Sequence, residues 1–124
     1  MVCHALIVED NCVIARVAEL TLNRFGLTTD IAHNGEEALA LVRENDYDLI
    51  LMDVHMPVMD GLEATRRIQG LQKYRDHKCP IIAVTASETK SACLEAGMDD
   101  YLSKPVSLER LRQALESVVN LQTV

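Results

Sequence analysis

Short, unbroken apolar segments recur along this chain at Ala5 to Val8, Asp48 to Met52 and Pro80 to Val84, each too short for a helix. Such runs have no polar face, so they suit strands covered on both sides within a parallel sheet. Two further segments, Thr28 to Ala32 and Asp100 to Ser103, alternate or carry charge, as strands nearer a sheet edge do. Between the strands the period changes. Ile14, Val17, Ala18, Thr21 and Phe25 fall at helical offsets of three and four, and Gly26 closes the pattern. Asn11 is placed as the N-cap.

A second helix is expected from Asn34, with Glu37 placed as the acid of a capping box and Ala38, Leu41 and Val42 turned inward. A third follows Gly61 to about Arg75, and a short fourth runs from about Glu88 to Ala96 before Gly97. The last starts at Ser107 and buries Leu108, Leu111, Leu115 and Val118. Five strand–helix pairs joined by right-handed crossovers make a three-layer, doubly wound α/β domain, for which the strand order 2-1-3-4-5 is one of two common solutions.

A chain of 124 residues suits a single core. Its net charge of −7 speaks against a nucleic-acid surface, which needs clustered Lys and Arg. No apolar run approaches the roughly 20 residues of a membrane-spanning helix, and no secretion signal is apparent, so the expected location is cytoplasmic, without membrane contact. Cys3, Cys12, Cys79 and Cys93 lack Cys-x-x-Cys spacing or a paired His, and read as reduced thiols.

In open α/β sheets, ligands bind outside the carboxyl ends of the strands, where the winding reverses. Four strand ends carry chemistry here: Glu9-Asp10, Asp53, Thr85 and Lys104. With the first and third strands adjacent, Glu9, Asp10 and Asp53 meet, and unit charges about 4 Å apart repel by roughly 4 kcal/mol at an effective dielectric near 20. A positive ion is needed. All-oxygen ligands without His or Cys suit a hard cation, so the expectation is Mg²⁺, with Mn²⁺ able to substitute. Asp53 is then the candidate nucleophile toward a phosphoryl group and Lys104 the ammonium that neutralises charge on the transferring oxygens.

The motifs Glu9-Asp10-Asn11, Leu51 to Gly61 (Leu-Met-Asp-Val-His-Met-Pro-Val-Met-Asp-Gly), Thr85-Ala86 and Tyr101 to Pro105 resemble the receiver domain of two-component response regulators across nearly the whole chain. The wording from Met52 to Thr65 looks most like receivers attached to hybrid sensor histidine kinases. The resemblance implies a flavodoxin-like receiver domain over residues 1–124 that acts as a signalling phosphoacceptor, not a turnover enzyme. Asp53 accepts phosphate from a histidine kinase or histidine phosphotransfer domain, with kinase domains in the same polypeptide an option. Glu9, Asp10, Asp53 and the backbone carbonyl of His55 hold Mg²⁺; Thr85 bonds the phosphoryl group, Lys104 pairs with it and Tyr101 is the switch aromatic. Lys104-Pro105 is implied to be a cis peptide, which X-Pro bonds tolerate at about 0.5–1 kcal/mol. His55 and Ser87 flank the path of the hydrolytic water.

One departure stands out. Thr85 and Lys104 are 19 positions apart, closer than the family pattern, so the fourth helix is expected to be shortened. Rival readings are a docking scaffold that is never phosphorylated, a nucleotide binder of the same fold and a Mg²⁺-dependent phosphohydrolase. The last needs a second Asp two positions after the nucleophile, where His55 stands.

Overall fold

In the computed structural model, which describes residues 3–56, 58–76, 79–86, 90–104 and 106–118, the apolar runs form the interior of one sheet. Its strands are β1 (His4–Val8), β2 (Thr28–Ala32), β3 (Leu49–Asp53), β4 (Ile81–Thr85) and β5 (Asp100–Ser103). All pair in parallel in the order β2-β1-β3-β4-β5, as expected. Every residue of central β3 is buried, which is why its sequence shows no alternation.

The period-two geometry of the strands sorts the core into two layers. Leu6, Val8, Ile50, Met52, Ile81 and Ala83 face one way, toward α2 (Gly35–Glu44), α3 (Gly61–Gln69), α4 (Gln72–Asp76) and α5 (Lys90–Glu95). Ala5, Ile7, Leu49, Leu51, Ile82 and Leu102 face the other way, toward α1 (Cys12–Arg24) and α6 (Leu108–Val118).

The caps are those the sequence signals. Asn11 Oδ1 accepts from the N–H groups of Val13 and Ile14 at 2.9 and 3.0 Å. Asn34 Oδ1 accepts from Glu37 N–H at 2.9 Å, while Glu37 Oε1 reaches back to the N–H of His33 at 3.1 Å. Gly26, at φ 91°, ends α1 in a conformation that costs other residues energy.

Three expectations about helices need correction. The stripe of α1 is rotated: Ala15 and Leu22 are buried, Ala18, Thr21 and Phe25 half-buried, and Ile14 and Val17 remain 45% and 58% exposed. Small side chains at 15 and 18 let the helix lie close to the sheet, leaving the larger residues at its margin. The third helix does not run through to Arg75 but breaks at Gly70, whose residue type is poor in helix interiors. Beyond the break, α4 turns Tyr74 into the core, its hydroxyl donating to the Cys79 carbonyl at 3.3 Å. In α6, Leu111 and Leu115 are buried as expected, whereas Leu108, at the first turn, is 53% exposed. The Val118 side chain lies outside the described residues, as does the expected start of the fourth helix at Glu88. Within them that helix, α5, has only six residues before Gly97, at φ 102°.

Candidate functional site

The β1–β3 register, with Val8 beside Met52, brings the residue after one strand next to the last residue of the other. The carboxylate oxygens of Glu9, Asp10 and Asp53 lie within 4.8 Å of one another, the one such acidic group among the described residues. Glu9 and Asp53 are buried, at 5% and 4% exposure, and Asp10 is exposed. The backbone of Glu9 is fixed by its N–H bond to the Ala32 carbonyl at 2.9 Å. From the far side, Lys104 Nζ donates to Asp53 Oδ1 at 3.1 Å and to Glu9 Oε1 at 3.4 Å. Lys104 is itself held by β4: its N–H donates to the Thr85 carbonyl at 2.8 Å. Thr85 is fully buried at the end of that strand.

The loop from Asp53 into α3 closes tightly. Gly61 N–H donates to the Val54 carbonyl at 2.7 Å. A Cβ on Gly61 would collide with the Asp53 carbonyl and stand 2.8 Å from the Cα of Val54, so only glycine permits this approach to the acidic residue. Asp60 caps α3 by accepting from Glu63 N–H at 2.9 Å. Val58, between these anchors, has φ 73°.

Electrostatically, the pocket holds more negative charge than one ammonium balances. Burial pushes the Glu9 carboxyl up to about 7; the Asn11 N–H opposes the rise, and the nearby Asp10 and Asp53 add to it. For Lys104, burial alone would favour the neutral form, but the hydrogen bond and charge of Asp53, with those of Glu9, outweigh it and raise its pKa. Crowded oxygen donors, two of them buried, fit a hard divalent cation and lack the sulfur or nitrogen ligands that softer metals prefer.

Of the residues singled out in the sequence, Glu9, Asp10, Asp53 and Lys104 come together, and Thr85 joins them through its backbone bond to Lys104. His55 is exposed just beyond Asp53, and Tyr101 is half-buried on β5 against the α3–α5 side of the core. Ser87 and Pro105 lie outside the described residues. Gly61 was missed as a positioning residue, although its place directly after a helix-capping Asp was a usable signal. Also missed was an apolar rim: Val13, Ile14, Val17 and Leu20 of α1 are 73%, 45%, 58% and 48% exposed. A helix with more large apolar residues than one stripe can bury signals such a surface. Beside it, a cleft of about 690 Å³ between α1 and α6, lined in part by Ile14, Val17, Leu108 and Leu111, reaches Asp53 and Lys104.

The family model for the response regulator receiver domain matches residues 5–116. The chain belongs to this family. It is a phosphoacceptor domain of the two-component phosphorelay type. Among curated relatives of this receiver, Histidine kinase 5 of Arabidopsis thaliana is 37% identical over 93% of the chain. The chain spans only 15% of that relative's length. Among solved structures, the receiver of sensor histidine kinase PA1611 from Pseudomonas aeruginosa PAO1, with a magnesium ion coordinated in its active-site cleft, superposes with a TM-score of 0.86 at 37% identity. That match covers 95% of this chain and 98% of the other. The receiver of Ssk1 from Saccharomyces cerevisiae, co-crystallised with the histidine phosphotransfer protein Ypd1, gives 0.87 at 31% identity, covering 94% and 88% of the two chains. No helix among the described residues of this receiver is long and apolar enough to cross a membrane.

Proposed function

We propose that Asp53 is the phosphoacceptor and that Glu9, Asp10, Asp53 and the His55 carbonyl hold Mg²⁺, with Mn²⁺ as a substitute. The observation that carries this reading is the buried Asp53 carboxylate, crowded by two other acids and bonded by the Lys104 ammonium at 3.1 Å. When bound, the cation supplies charge neutralisation at the acidic cluster and the incoming phosphoryl oxygens. An Asp53 oxygen forms the new O–P bond as the P–N bond of a donor phosphohistidine breaks; the imidazole nitrogen keeps the electron pair and takes up a proton. Lys104, already aimed at Asp53, pairs with the phosphoryl oxygens, and the Thr85 hydroxyl donates to them.

The donor is a histidine kinase or histidine phosphotransfer domain, and relatives that are themselves histidine kinases favour a kinase in the same polypeptide. The apolar rim of α1 beside the pocket supports docking of such a protein. Phosphorylation shifts a two-state equilibrium in which Thr85 moves toward the phosphoryl group and Tyr101 turns inward. His55 and Ser87 set the lifetime of the acyl phosphate. The domain's own chemistry is limited to taking and losing this phosphoryl group. Four free thiols suit a reducing, cytoplasmic setting.

The test is intact-mass spectrometry after incubation with acetyl phosphate and Mg²⁺. One phosphoryl adduct is expected, absent without the cation and absent in Asp53→Asn; an adduct that persists in Asp53→Asn refutes the assignment. Fluoroberyllate binding with ordering around Thr85 and Tyr101 checks the switch.

A further inference from the structure

Val58 is the residue other than glycine with positive φ among the described residues, and at 74% exposure it tops their large apolar side chains. Both properties run against its chemistry. A β-branched residue at φ 73° is strained, whereas glycine adopts that conformation freely. An apolar side chain so exposed also contributes little packing to the fold.

The strain is imposed from both ends of the loop. Asp53 is locked in β3, and Gly61 is pressed against the Asp53–Val54 backbone and bonded to the Val54 carbonyl at 2.7 Å. Asp60 is committed as the cap of α3. Within this loop Val58 is exposed at a positive φ. It stands five residues after Asp53, while α1, with Val13 and Ile14 exposed, leaves from the neighbouring strand β1. Apolar groups thus stand on the loop that leaves β3 and on the first turn of the helix that follows β1, the two paired strands of the acidic pocket. Strained residues at such places commonly serve the site beside them.

We propose that Val58 is a rigid docking anchor for the protein that delivers the phosphoryl group, a donor with an apolar collar around its phosphohistidine, and that it helps set which donors are accepted. The proposal rests on the phosphoacceptor reading above. A donor protein must bring its phosphorus within bonding distance of Asp53, so its surface presses on the rim; a small donor reaches the same oxygen without touching Val58. Holding the anchor in one conformation before contact lowers the ordering cost of docking.

The experiment compares Val58→Gly and Val58→Thr with the wild-type chain. The first releases the backbone and deletes the side chain; the second keeps shape and conformation while removing apolar character. Phosphorylation rates are measured with phosphorylated Ypd1, the phosphotransfer protein seen with a related receiver, and with acetyl phosphate. The ratio of the Ypd1 rate to the acetyl phosphate rate is expected to fall at least threefold in both variants, and the thermal midpoint to rise in Val58→Gly alone. A smaller fall in either variant, or a wild-type chain that takes phosphate from Ypd1 no faster than from equimolar acetyl phosphate, overturns the proposal. A midpoint in Val58→Gly no higher than wild type overturns the claim of stored strain. If neither donor labels the wild-type chain, the Asp53 assignment itself fails, which is a different result from a lost ratio.

Discussion

Helices α1 and α2 start alike and end up doing different work. Each begins on an Asn cap, and each follows a strand at the carboxyl edge of the sheet. In α2 the apolar residues Ala38, Leu39 and Val42 are buried against the sheet and α3. In α1 only Ala15 and Leu22 are buried, while Val13, Ile14, Val17 and Leu20 stay open to solvent, Ile14 and Val17 lining the cleft that reaches the acidic pocket. The contrast separates two uses of an amphipathic helix. One spends its apolar face on the core; the other keeps apolar surface available next to the chemistry.

The sharpest test of that division is stability. Leu39→Ala should lower unfolding free energy by about 2–4 kcal/mol, as large-to-small changes in packed cores do, read from urea denaturation. Phosphorylation of the folded fraction by acetyl phosphate should be unaltered. Next in size is a pH effect at the turn leading into α1. The Glu9 carboxyl, raised from 4.5 to about 7, keeps in the folded state a proton that the unfolded chain releases. In EDTA, stability should therefore fall as pH rises from 4.5 to 7 and level off above, by at most about 1.4 kcal/mol per pH unit. Stability rising across that window would contradict the burial argument. Mg²⁺, which needs the ionised carboxylate, should bind more tightly as pH rises through the same interval.

Asn11→Ala and Asn34→Ala should each cost about 1 kcal/mol, since both caps satisfy N–H groups with no helical partner. Unequal losses would show that α1 is held chiefly by something other than its cap. The smallest stability change is expected for Val17→Ser, within about 0.5 kcal/mol of wild type. Transfer from a phosphohistidine protein should nonetheless fall about threefold, or about 0.7 kcal/mol. If Val17→Ser destabilises as much as Leu39→Ala, the two helices are alike after all.

Much of this architecture is legible in the chain. Unbroken apolar runs define the central strands to within a residue, and the handedness rule leaves few strand orders. The acidic residues and Lys104 fall at strand ends, so topology alone brings them together. Other features arise only from contacts distant in sequence. The orientation of α1 is ambiguous because its apolar residues support two overlapping stripes, and small Ala15 gives little signal. Tyr74 is buried within the larger core cluster, its hydroxyl on the Cys79 carbonyl, with no local pattern to announce it. The raised carboxyl of Glu9 depends on burial supplied by the folded sheet. Val58 contradicts its own backbone preference because the loop around it is closed by Gly61.

The bond from the Lys104 N–H to the Thr85 carbonyl links the residue that follows β5 to the last residue of β4. Because the link is main chain to main chain, it does not depend on the Thr85 hydroxyl, and the Lys104 ammonium is held separately by Asp53 and Glu9. If the Thr85 hydroxyl carries the switch as proposed, Thr85→Ala is expected to uncouple signal propagation from phosphate capture, yielding a domain that fills but does not report.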